Sequence, residues 1–535
     1  AAFPGRPRDD PGDGPGDGAS PAAEPPAHAM AAAALTIAPA RLWSPGDPAL
    51  YALKAELVRG DEVIDSATTR FGIRSISVDR RNGLVLNDVP IKLRGGCVHH
   101  DCGILGSAAY DRAEERKVEL MKASGFNAVR CAHNPPSVAF LDACDRLGML
   151  VIDEAFDCWR DAKNPNDYSM AFADHWLEDL ESMIRRDRNH ASIIMWSTGN
   201  EIRERDGRSA GYAWSRRLAD AVRDLDPTRP VTNAICALQG NLDESELAAN
   251  LGSTLPEAEG TPDYWAELTA DFAAPLDVVG YNYLLDRYER DSERFPDRVI
   301  CGEETFPKDA FDYWEATKRL PHVIGDFVWT AIDYLGEAGI GHVWFNGETG
   351  FLGNYPWHSA NCGDIDICGF KRPQSYYRDC VWGIAEAPFV AVHDPARHGK
   401  AGDISAWGWP DLHASWSWPG HEGMPTTVEV YSTDEEVELL LNGVSVGRTA
   451  AGHAARYIAR FETTYRPATL VAVAYSGGVE TSRTVLHTAG PPSALRLTPD
   501  RAHLRSVFGD LSYITVEVVD ADGNVCHACD AAVTL

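Results

Sequence analysis

The stretch from Ile193 to Glu201, which reads IIMWSTGNE, decides the fold prediction for this chain. It begins as an apolar run and ends in polar residues, which is typical of a buried β-strand. Seven further apolar runs lie between about residues 90 and 335, and amphipathic helical segments separate them. This alternation predicts parallel strands joined by helices.

The predicted strands cover residues 91–98, 128–132, 150–152, 193–197, 231–235, 278–282, 299–302 and 323–329. Helices are predicted over 112–124, 137–147, 171–186 and 212–225. Eight strand–helix repeats within roughly 250 residues predict a closed (β/α)8 barrel, also called a TIM barrel. An open doubly wound sheet is the alternative, but the sequence has no Gly-rich dinucleotide-binding or phosphate-binding motif that would favour it.

Changes in composition on either side of the barrel predict a multidomain chain. Residues 1–34 are rich in Pro, Gly, Asp and Ala, which predicts a disordered segment because they offer little apolar surface to bury. Residues 35–80 read as the last strands of a β-sandwich, and the barrel is predicted over 81–385. Alternating β-type runs then predict a β-sandwich over 386–490 and the incomplete start of a further sandwich over 491–535.

Charge and composition limit the class of partner. A formal net charge of −30 and a pI near 4.9 argue against a nucleic-acid partner and favour a neutral solute. No stretch approaches the ~20 apolar residues of a membrane helix, so no membrane partner is predicted. The 12 cysteines are scattered through apolar segments, which favours a reducing, cytoplasmic location over secretion. The sequence does not determine the oligomeric state, and it is compatible with a homo-oligomer.

Ionisable and aromatic residues gather at the predicted carboxyl ends of the barrel strands, where this fold places reactive groups. They include His99, Arg130, His133, Glu154, Asp157, Asn200, Glu201, Asn282, Tyr283, Glu303, Glu304 and Trp329. Two carboxyl groups across an aromatic-lined cleft suit glycosidic bond cleavage, because one protonates the leaving oxygen while the other attacks the anomeric carbon or activates water. A structural salt bridge is the competing interpretation of any single carboxylate.

A series of motifs in this chain resembles glycoside hydrolase family 2, the family of bacterial β-galactosidases and β-glucuronidases. The motifs are Phe71–Arg74 (FGIR), Leu93–Asp101 (LRGGCVHHD), Asn127–His133 (NAVRCAH), Arg186–His190 (RDRNH), Trp196–Glu201 (WSTGNE) and Gly325–Glu337 (GDFVWTAIDYLGE). The resemblance covers residues from about 36 to 535. It implies a TIM barrel flanked by immunoglobulin-like β-sandwich domains, and a retaining exo-β-glycosidase acting on terminal non-reducing β-linked sugars.

The resemblance assigns roles to the carboxylates. Asn200 and Glu201 match the family's Asn-Glu pair, which implies that Glu201 is the acid/base and that Asn200 contacts the sugar 2-hydroxyl. The segment 298–305 (RVICGEET) matches the nucleophile strand, with Glu304 at the nucleophile and Glu303 in place of a Ser. Successive strand side chains point to opposite faces, so only one of these two glutamates is expected to face the cleft, and Glu304 is preferred.

Further matches imply a set of substrate-binding residues. They are His99, His133, Asn200, Asn282, Tyr283, Trp329 and Asp157. In the family the two histidines line the sugar site, although tying loops together is the competing interpretation, and the tryptophan is a stacking platform. The Asn-Tyr segment supplies a Tyr hydrogen-bonded to the nucleophile, a role for which Tyr283 is preferred to Tyr281.

Two differences from the family's motifs bear on whether a metal cofactor is required and on which sugar is the substrate. Magnesium-dependent β-galactosidases have a metal-holding Glu-x-His after the third strand, whereas this chain has Asp157–Trp159 (DCW), so no metal site and no required cofactor are expected. The Asn-x-Lys with which β-glucuronidases bind the substrate carboxylate is not reproduced at 369–373 (GFKRP). A neutral β-glycoside or oligosaccharide is expected, with β-galactosidase activity preferred to β-glucuronidase or β-mannosidase activity.

The match to the family begins partway through its immunoglobulin-like sandwich. The jelly-roll domain that comes first in the family, and from which a loop reaches the active site in several members, has no counterpart in these residues. An incomplete sugar site is therefore expected. An inactive carbohydrate-binding or scaffold fragment is the alternative function from another class.

Overall fold

A computed structural model describes residues 33–237, 263–345, 347 and 350–534 of the chain. Residues 1–32 of the segment predicted to be disordered (1–34) lie outside the described residues, and residues 33–40 contain neither helix nor strand. From Arg41 onward, antiparallel sheets precede and follow a closed parallel barrel. The predicted fold class is confirmed, while the exact domain boundaries stay a prediction.

Two small antiparallel sheets precede the barrel. Their strands are β1 (Tyr51–Arg59) and β2 (Glu62–Phe71) in the first, and β3 (Ile76–Asp79), β4 (Gly83–Leu86) and β5 (Val89–Ile91) in the second. The Arg74 guanidinium, between these sheets in sequence, donates to the carbonyls of Ala191 (2.6 Å) and Ile193 (2.7 Å) at the start of a barrel strand. The fully buried Trp43 donates to the carbonyl of Asp145 (2.8 Å). These contacts anchor the region to the barrel, although β1 and β2 are themselves almost wholly exposed.

Eight parallel strands form the barrel. They are β6 (Leu93–Val98), β7 (Ala128–Cys131), β8 (Leu150–Glu154), β9 (Ile193–Asn200), β10 (Val231–Ile235), β11 (Val279–Asn282), β12 (Ile300–Thr305) and β13 (Val323–Val328). Neighbours in sequence pair with each other, and β13 pairs with β6 to close the barrel. Every residue of β9 is buried, because the barrel interior covers one face and the helices cover the other. All eight strands agree with the sequence prediction to within three residues at either end.

Helices cover the outside of the barrel. They are α1 (Asp111–Ala123), α2 (Val138–Leu147), α3 (Ser169–Asp187), α4 (Gly211–Leu225), α5 (Tyr264–Ala273), α6 (Arg287–Arg294) and α7 (Ala310–Arg319). Helix α2 shows why they form: Ser137 accepts a hydrogen bond from the Phe140 N–H (3.1 Å), and Gly148 ends the helix with φ 72°. The apolar face of α2 buries Leu141 and Cys144 completely. None of the helices in the described part of the chain is long and apolar enough to cross a membrane.

A β-sandwich follows the barrel. Its region contains α8 (Pro373–Val381) and the strands β14 (Val343–Trp344), β15 (Phe389–His393), β16 (Asp403–Ile404), β17 (Leu412–His413), β18 (Pro425–Tyr431), β19 (Glu436–Leu441), β20 (Val444–Ala450), β21 (Ile458–Thr464), β22 (Thr469–Ser476), β23 (Val479–His487), β24 (Ala494–Pro499) and β25 (Ile514–Val519). The sheets β17-β15-β18-β21 and β20-β19-β22-β23 share one apolar core. Asn442 and Gly443, with φ 50° and 76°, form the tight turn between β19 and β20. A separate β24–β25 pair follows.

Candidate active site

The carboxyl ends of the barrel strands bring the predicted site residues together around one cleft. Hydrogen bonds, ion pairs and ring contacts connect Glu201, Glu304, His99, His133, Asn200, Asn282, Tyr283, Trp329 and Asp157. The two asparagines, the tryptophan and Glu304 are buried, while the other residues of the set keep partial exposure. A polar floor below a partly open wall is the form expected of a small-molecule site.

Arg130 organises the floor of the cleft. Its fully buried guanidinium donates to Glu154 Oε2, Glu304 Oε1 and Asn200 Oδ1, each at 2.8 Å. Burial alone would raise the pKa of Glu154, but the charge of Arg130 and the hydrogen bond from His133 hold it below its ordinary value. Glu154 is therefore an ionised anchor, and its Oε1 lies 2.8 Å from Nδ1 of His133.

Glu201 lies directly after the last residue of β9. Its φ of 43° is in the left-handed region, and its backbone N–H donates to the Ala234 carbonyl of β10 (2.8 Å). Asn282 donates through Nδ2 to Glu201 Oε1 (3.1 Å) and to Asn200 Oδ1 (3.2 Å). Backbone conformations of this kind are concentrated at functional sites, where the surrounding structure maintains them. The strand end thus holds one carboxyl group at the edge of the cleft.

Both Glu303 and Glu304 point into the barrel. Tyr281 pairs with Gly302, but the next residue, Asn282, pairs with Glu304, so Glu303 is the extra residue of a β-bulge in β12. The two side chains approach the same guanidinium, with Glu304 Oε1 at 2.8 Å and Glu303 Oε2 at 3.6 Å. The bulge interrupts the strand alternation, so both side chains turn inward, and their depths decide which of them faces the cleft.

The two glutamates lie at different depths. Glu304 is 4% exposed and reaches the cleft, whereas Glu303 is 0% exposed and accepts a hydrogen bond from Thr232 Oγ1 (2.6 Å). Burial raises the pKa of each carboxyl to about 7, and Arg130 opposes both shifts. The charge of Glu201 is the second cause that raises the pKa of Glu304, which indicates that these two carboxyl groups are close. Of the two neighbours, only Glu304 is accessible to a molecule in the cleft.

Aromatic rings form one wall. The His133 ring stacks on Trp329 with 5.2 Å between centroids, and His99 meets Trp329 edge-on at 5.2 Å while it stacks on Tyr334 at 4.1 Å. Burial lowers the pKa of His99 to about 3, so this imidazole is neutral. Burial would also lower the pKa of His133, but the hydrogen bond and the charge of Glu154 raise it. The wall therefore combines an indole face with one neutral and one more basic imidazole.

Tyr283 approaches Glu304 from the end of β11. Its φ is 60°, and its N–H donates to the Glu304 carbonyl (2.8 Å). Burial raises the pKa of Tyr283, and the charge of Glu304 and the hydrogen bond between the two side chains raise it further. The Trp407 indole donates to the Tyr283 hydroxyl (2.8 Å). Tyr281, the alternative for this position, donates instead to Asp291.

Asp157 is paired with a lysine. Its Oδ1 accepts hydrogen bonds from Lys163 Nζ (2.7 Å) and from Asn200 Nδ2 (3.2 Å). Burial would raise the pKa of Asp157, but the charges of His133 and Lys163 lower it to about 2. An ammonium group is thus in contact with the carboxylate and supplies positive charge at this wall of the cleft.

One group in the described part of the chain has the spacing of metal ligands, namely Asp142, Asp145 and His190. It lies beside the start of β9, at the opposite end of the barrel strands from the cleft. Asp145 there accepts hydrogen bonds from the Ser192 N–H (2.8 Å) and is paired with His190 (2.8 Å). These contacts give the group a structural role at the base of the barrel.

Further residues around the cleft received no role from the sequence. They include Arg130, Glu154, Lys163, Tyr334 and Trp407, which contact the predicted set, and Thr232, which contacts Glu303. Arg130 lies in a predicted strand and Glu154 follows one, so their position was the available signal. Lys163 comes from the loop after β8, and Trp407 comes from the segment after the barrel, where no sequence pattern indicates proximity to the cleft.

Known sequence families match three parts of the chain. Residues 76–272 match the family described as glycosyl hydrolases family 2, TIM barrel domain, and residues 14–74 match glycosyl hydrolases family 2. Residues 423–482 match a domain of unknown function, DUF4982.

Individual relatives also align over most of the chain. β-Galactosidase BoGH2A of Bacteroides ovatus is 30% identical over 557 residues, covering 93% of this chain and 60% of that protein. A Formosa agariphila protein provisionally assigned as a β-glucuronidase is 30% identical over 527 residues, covering 93% of this chain and 47% of that protein. A solved glycosyl hydrolase family 2 member from Bacteroides cellulosilyticus is 44% identical with a TM-score of 0.80, covering 91% of this chain and 59% of that chain. The chain thus spans about half to three-fifths of the length of these relatives.

Proposed function

Because this chain belongs to glycoside hydrolase family 2, we propose that it is a retaining exo-β-glycosidase that releases terminal non-reducing β-linked sugars. The observation that carries the proposal is the pair Glu201 and Glu304, two carboxyl groups that share one cleft, where the charge of Glu201 raises the pKa of Glu304. Retention needs a nucleophile and an acid/base, and this pair supplies a candidate for each. The aromatic wall beside the pair suits stacking against a sugar ring.

In the first step, an ionised oxygen of Glu304 attacks the anomeric carbon, the glycosidic bond breaks, and Glu201 gives its proton to the leaving oxygen. Arg130, 2.8 Å from Glu304 Oε1, stabilises the ionised nucleophile. The reactive form of the pair thus carries one proton, which Glu201 passes to the leaving oxygen.

In the second step, water attacks the anomeric carbon, Glu201 accepts a proton from the water, and the bond between the sugar and Glu304 breaks. The sugar leaves with its original β configuration, and Glu201 regains the proton it donated. Asn282 holds Glu201 Oε1 at 3.1 Å, which supports a fixed position for this carboxyl group in both steps. Tyr283 is the group proposed to hold Glu304 from the other side.

We propose a neutral sugar as the substrate, with galactose first. Lys371 and Arg372 lie in the segment comparable with the uronate-binding motif of β-glucuronidases, but Lys371 pairs with Asp379, and Arg372 pairs with Asp333 at 3.1 Å. Both cations are thus engaged by carboxylates of the chain itself. The β-galactosidase relative from Bacteroides ovatus supports the same choice.

We also propose that hydrolysis requires no divalent cation. Lys163 contacts Asp157 and so provides the positive charge at this wall of the cleft. Dialysis against EDTA is expected to leave the hydrolysis rate unchanged. A loss of rate that added Mg²⁺ reverses is the contrary result.

The deciding experiment is an assay of the purified chain on aryl β-galactoside, β-glucuronide, β-mannoside and β-glucoside, with NMR detection of the anomer released first. The β-galactoside is expected to be the best substrate, and its first product is expected to be the β-anomer. A first product with the α configuration contradicts retention. Faster hydrolysis of the glucuronide or the mannoside favours the corresponding alternative, and no turnover by folded protein favours the inactive carbohydrate-binding or scaffold fragment.

A further inference from the structure

Glu303 is a carboxyl group buried directly beneath the proposed nucleophile, and neither step above uses it. It accepts one hydrogen bond, from Thr232 Oγ1 (2.6 Å), while its Oε2 has no hydrogen-bond partner among the described residues. An ionised carboxylate normally accepts several hydrogen bonds, and leaving it undersupplied in a buried site is unfavourable. A protonated carboxyl needs fewer partners, and its O–H is able to donate to the Thr232 hydroxyl oxygen across the same contact.

The fold provides space for this side chain. The bulge in β12 turns Glu303 inward, and Gly280 on the neighbouring strand leaves the room that the carboxyl group fills. A Cβ atom at position 280 would lie 2.4 Å from Glu303 Cδ, so an alanine there requires the side chain to move. The carboxyl group therefore occupies a defined position in the barrel interior.

One guanidinium serves three carboxyl groups at this position. Arg130 lies 2.8 Å from an oxygen of Glu154 and 2.8 Å from an oxygen of Glu304, but 3.6 Å from Oε2 of Glu303. Two ionised carboxylates already engage the single positive charge at hydrogen-bond distance. A third negative charge would repel both of them without a cation of its own.

Two buried thiols also lie beside Glu303: the Cys97 thiol donates to the Glu303 backbone carbonyl (3.1 Å), and the Cys301 thiol is close enough for a charge on the Glu303 carboxyl group to affect it. Burial raises the pKa of both thiols, so they are neutral and add no charge. We propose that Glu303 is a positioning residue that keeps its proton through both steps and so reserves the charge of Arg130 for Glu304. This inference rests on the proposed function, because it assigns Glu304 as the nucleophile. Burial raises the pKa of both Glu303 and Glu304 to about 7, so the distances to Arg130, and not the pKa values, distinguish the two residues.

Infrared difference spectroscopy tests the protonation state without requiring turnover. The difference between the wild-type chain and Glu303→Gln at pH 6 is expected to show loss of the C=O band of a protonated carboxyl. Asp157→Asn is the matched control, and it should show loss of an ionised carboxylate band, because the pKa of Asp157 is lowered to about 2, chiefly by His133 and Lys163 against the effect of burial. Loss of a carboxylate band in Glu303→Gln would overturn the proposal.

The pH dependence of kcat/KM tests the consequence for the nucleophile. Glutamine has the shape of the protonated side chain, so Glu303→Gln is expected to leave the acidic limb of the profile within about 0.3 pH unit of the wild-type position. If Glu303 is instead ionised during catalysis, its removal lowers the pKa of Glu304 and shifts that limb downward by about one pH unit or more. A downward shift of that size would overturn the proposal.

Thr232→Val provides a second variant should Glu303→Gln fail to fold. Loss of the Thr232 hydroxyl is expected to shift the frequency of the same protonated C=O band in the wild-type glutamate. An unshifted spectrum contradicts the assignment of that band to Glu303. If the wild-type chain hydrolyses no glycoside while the infrared result is as expected, the proposed function fails and the protonation state of Glu303 stands.

Discussion

The carboxyl ends of the barrel strands and the β1–β2 hairpin place their side chains in opposite environments. At the barrel end, the ionisable side chains of Arg130, Glu154 and Glu303 are fully buried. In the hairpin, Leu57 and Val58 are 63% and 56% exposed. Each region therefore reverses the usual distribution of charged and apolar residues.

This difference indicates in which region stability depends on individual contacts. Buried charges are stable only while each keeps its partners, so a single substitution at the barrel end leaves another charge unpaired. Exposed apolar side chains make few contacts that a substitution removes, so the hairpin is expected to tolerate change. The following predictions test that contrast, starting with the largest effect.

Replacing the proposed nucleophile should have the largest effect. Glu304→Gln is expected to lower kcat/KM on an aryl β-galactoside by about 10⁴-fold, equivalent to about 5.5 kcal/mol, because the amide cannot form the covalent intermediate. Glu303→Gln is the matched control, with the same change one residue away, and is expected to stay within about threefold of the wild-type rate. Activity that survives in Glu304→Gln but is lost in Glu303→Gln would exchange the roles of the two residues.

Removing the central cation should destabilise the barrel. Arg130→Met leaves Glu154 and Glu304 without their common partner, and breaking a buried pair in this way is expected to lower the free energy of unfolding by about 3–5 kcal/mol. Denaturant unfolding followed by tryptophan fluorescence measures the change. The control is Arg59→Met at the exposed end of β1, and an equal loss of stability in both variants would remove the contrast between the two regions.

Lowering the pH should reduce activity at the cleft before it affects the hairpin. Burial, and then the charge of Glu201, raises the pKa of Glu304 to about 7. The nucleophile acts ionised, so protonation at lower pH removes it, and kcat/KM should fall about tenfold per unit once the pH is below this value. A profile of kcat/KM between pH 5 and 8 measures the limb, and a flat profile across that range contradicts the assignment.

Changing the hairpin surface should have the smallest effect. Leu57→Thr replaces a largely exposed side chain, so the free energy of unfolding is expected to change by less than about 0.5 kcal/mol and kcat/KM should stay the same. Thermal unfolding and the aryl galactoside assay check both quantities. A loss above about 1 kcal/mol would show that this face contributes to stability.

Much of the barrel follows from local sequence patterns. Strand β9 (Ile193–Asn200) begins with consecutive apolar residues and ends in polar ones. Both faces of such a strand are buried, so its apolar residues are consecutive and the strand can be predicted without knowledge of the strands it pairs with. The candidate site follows from the same runs, since residues at the carboxyl ends of parallel strands converge. That rule predicts that Glu201, Asn282 and Glu304 lie around the same cleft.

Other features depend on contacts that no local pattern contains. The bulge at Glu303 is a single-residue irregularity, and only the pairing of β11 with β12 reveals it. Lys163 and Trp407 reach the site from loops, so their positions depend on the packing of the whole domain. The preference for Tyr283 over Tyr281 as the partner of Glu304 came from the family resemblance, because it depends on the direction of each side chain and not on spacing.

The backbone at Glu201 and Tyr283 has a consequence for engineering. Each residue follows a strand with a positive φ, and each donates its N–H to the next strand of the barrel at 2.8 Å. The direction of each side chain is therefore set by a backbone conformation that the barrel strands hold in place, and not by the loop that follows. Replacing only the loop residues after Glu201 and Tyr283 should change which ligands the protein recognises while both side chains keep their directions. Replacements that include Glu201 or Tyr283 should lose those directions.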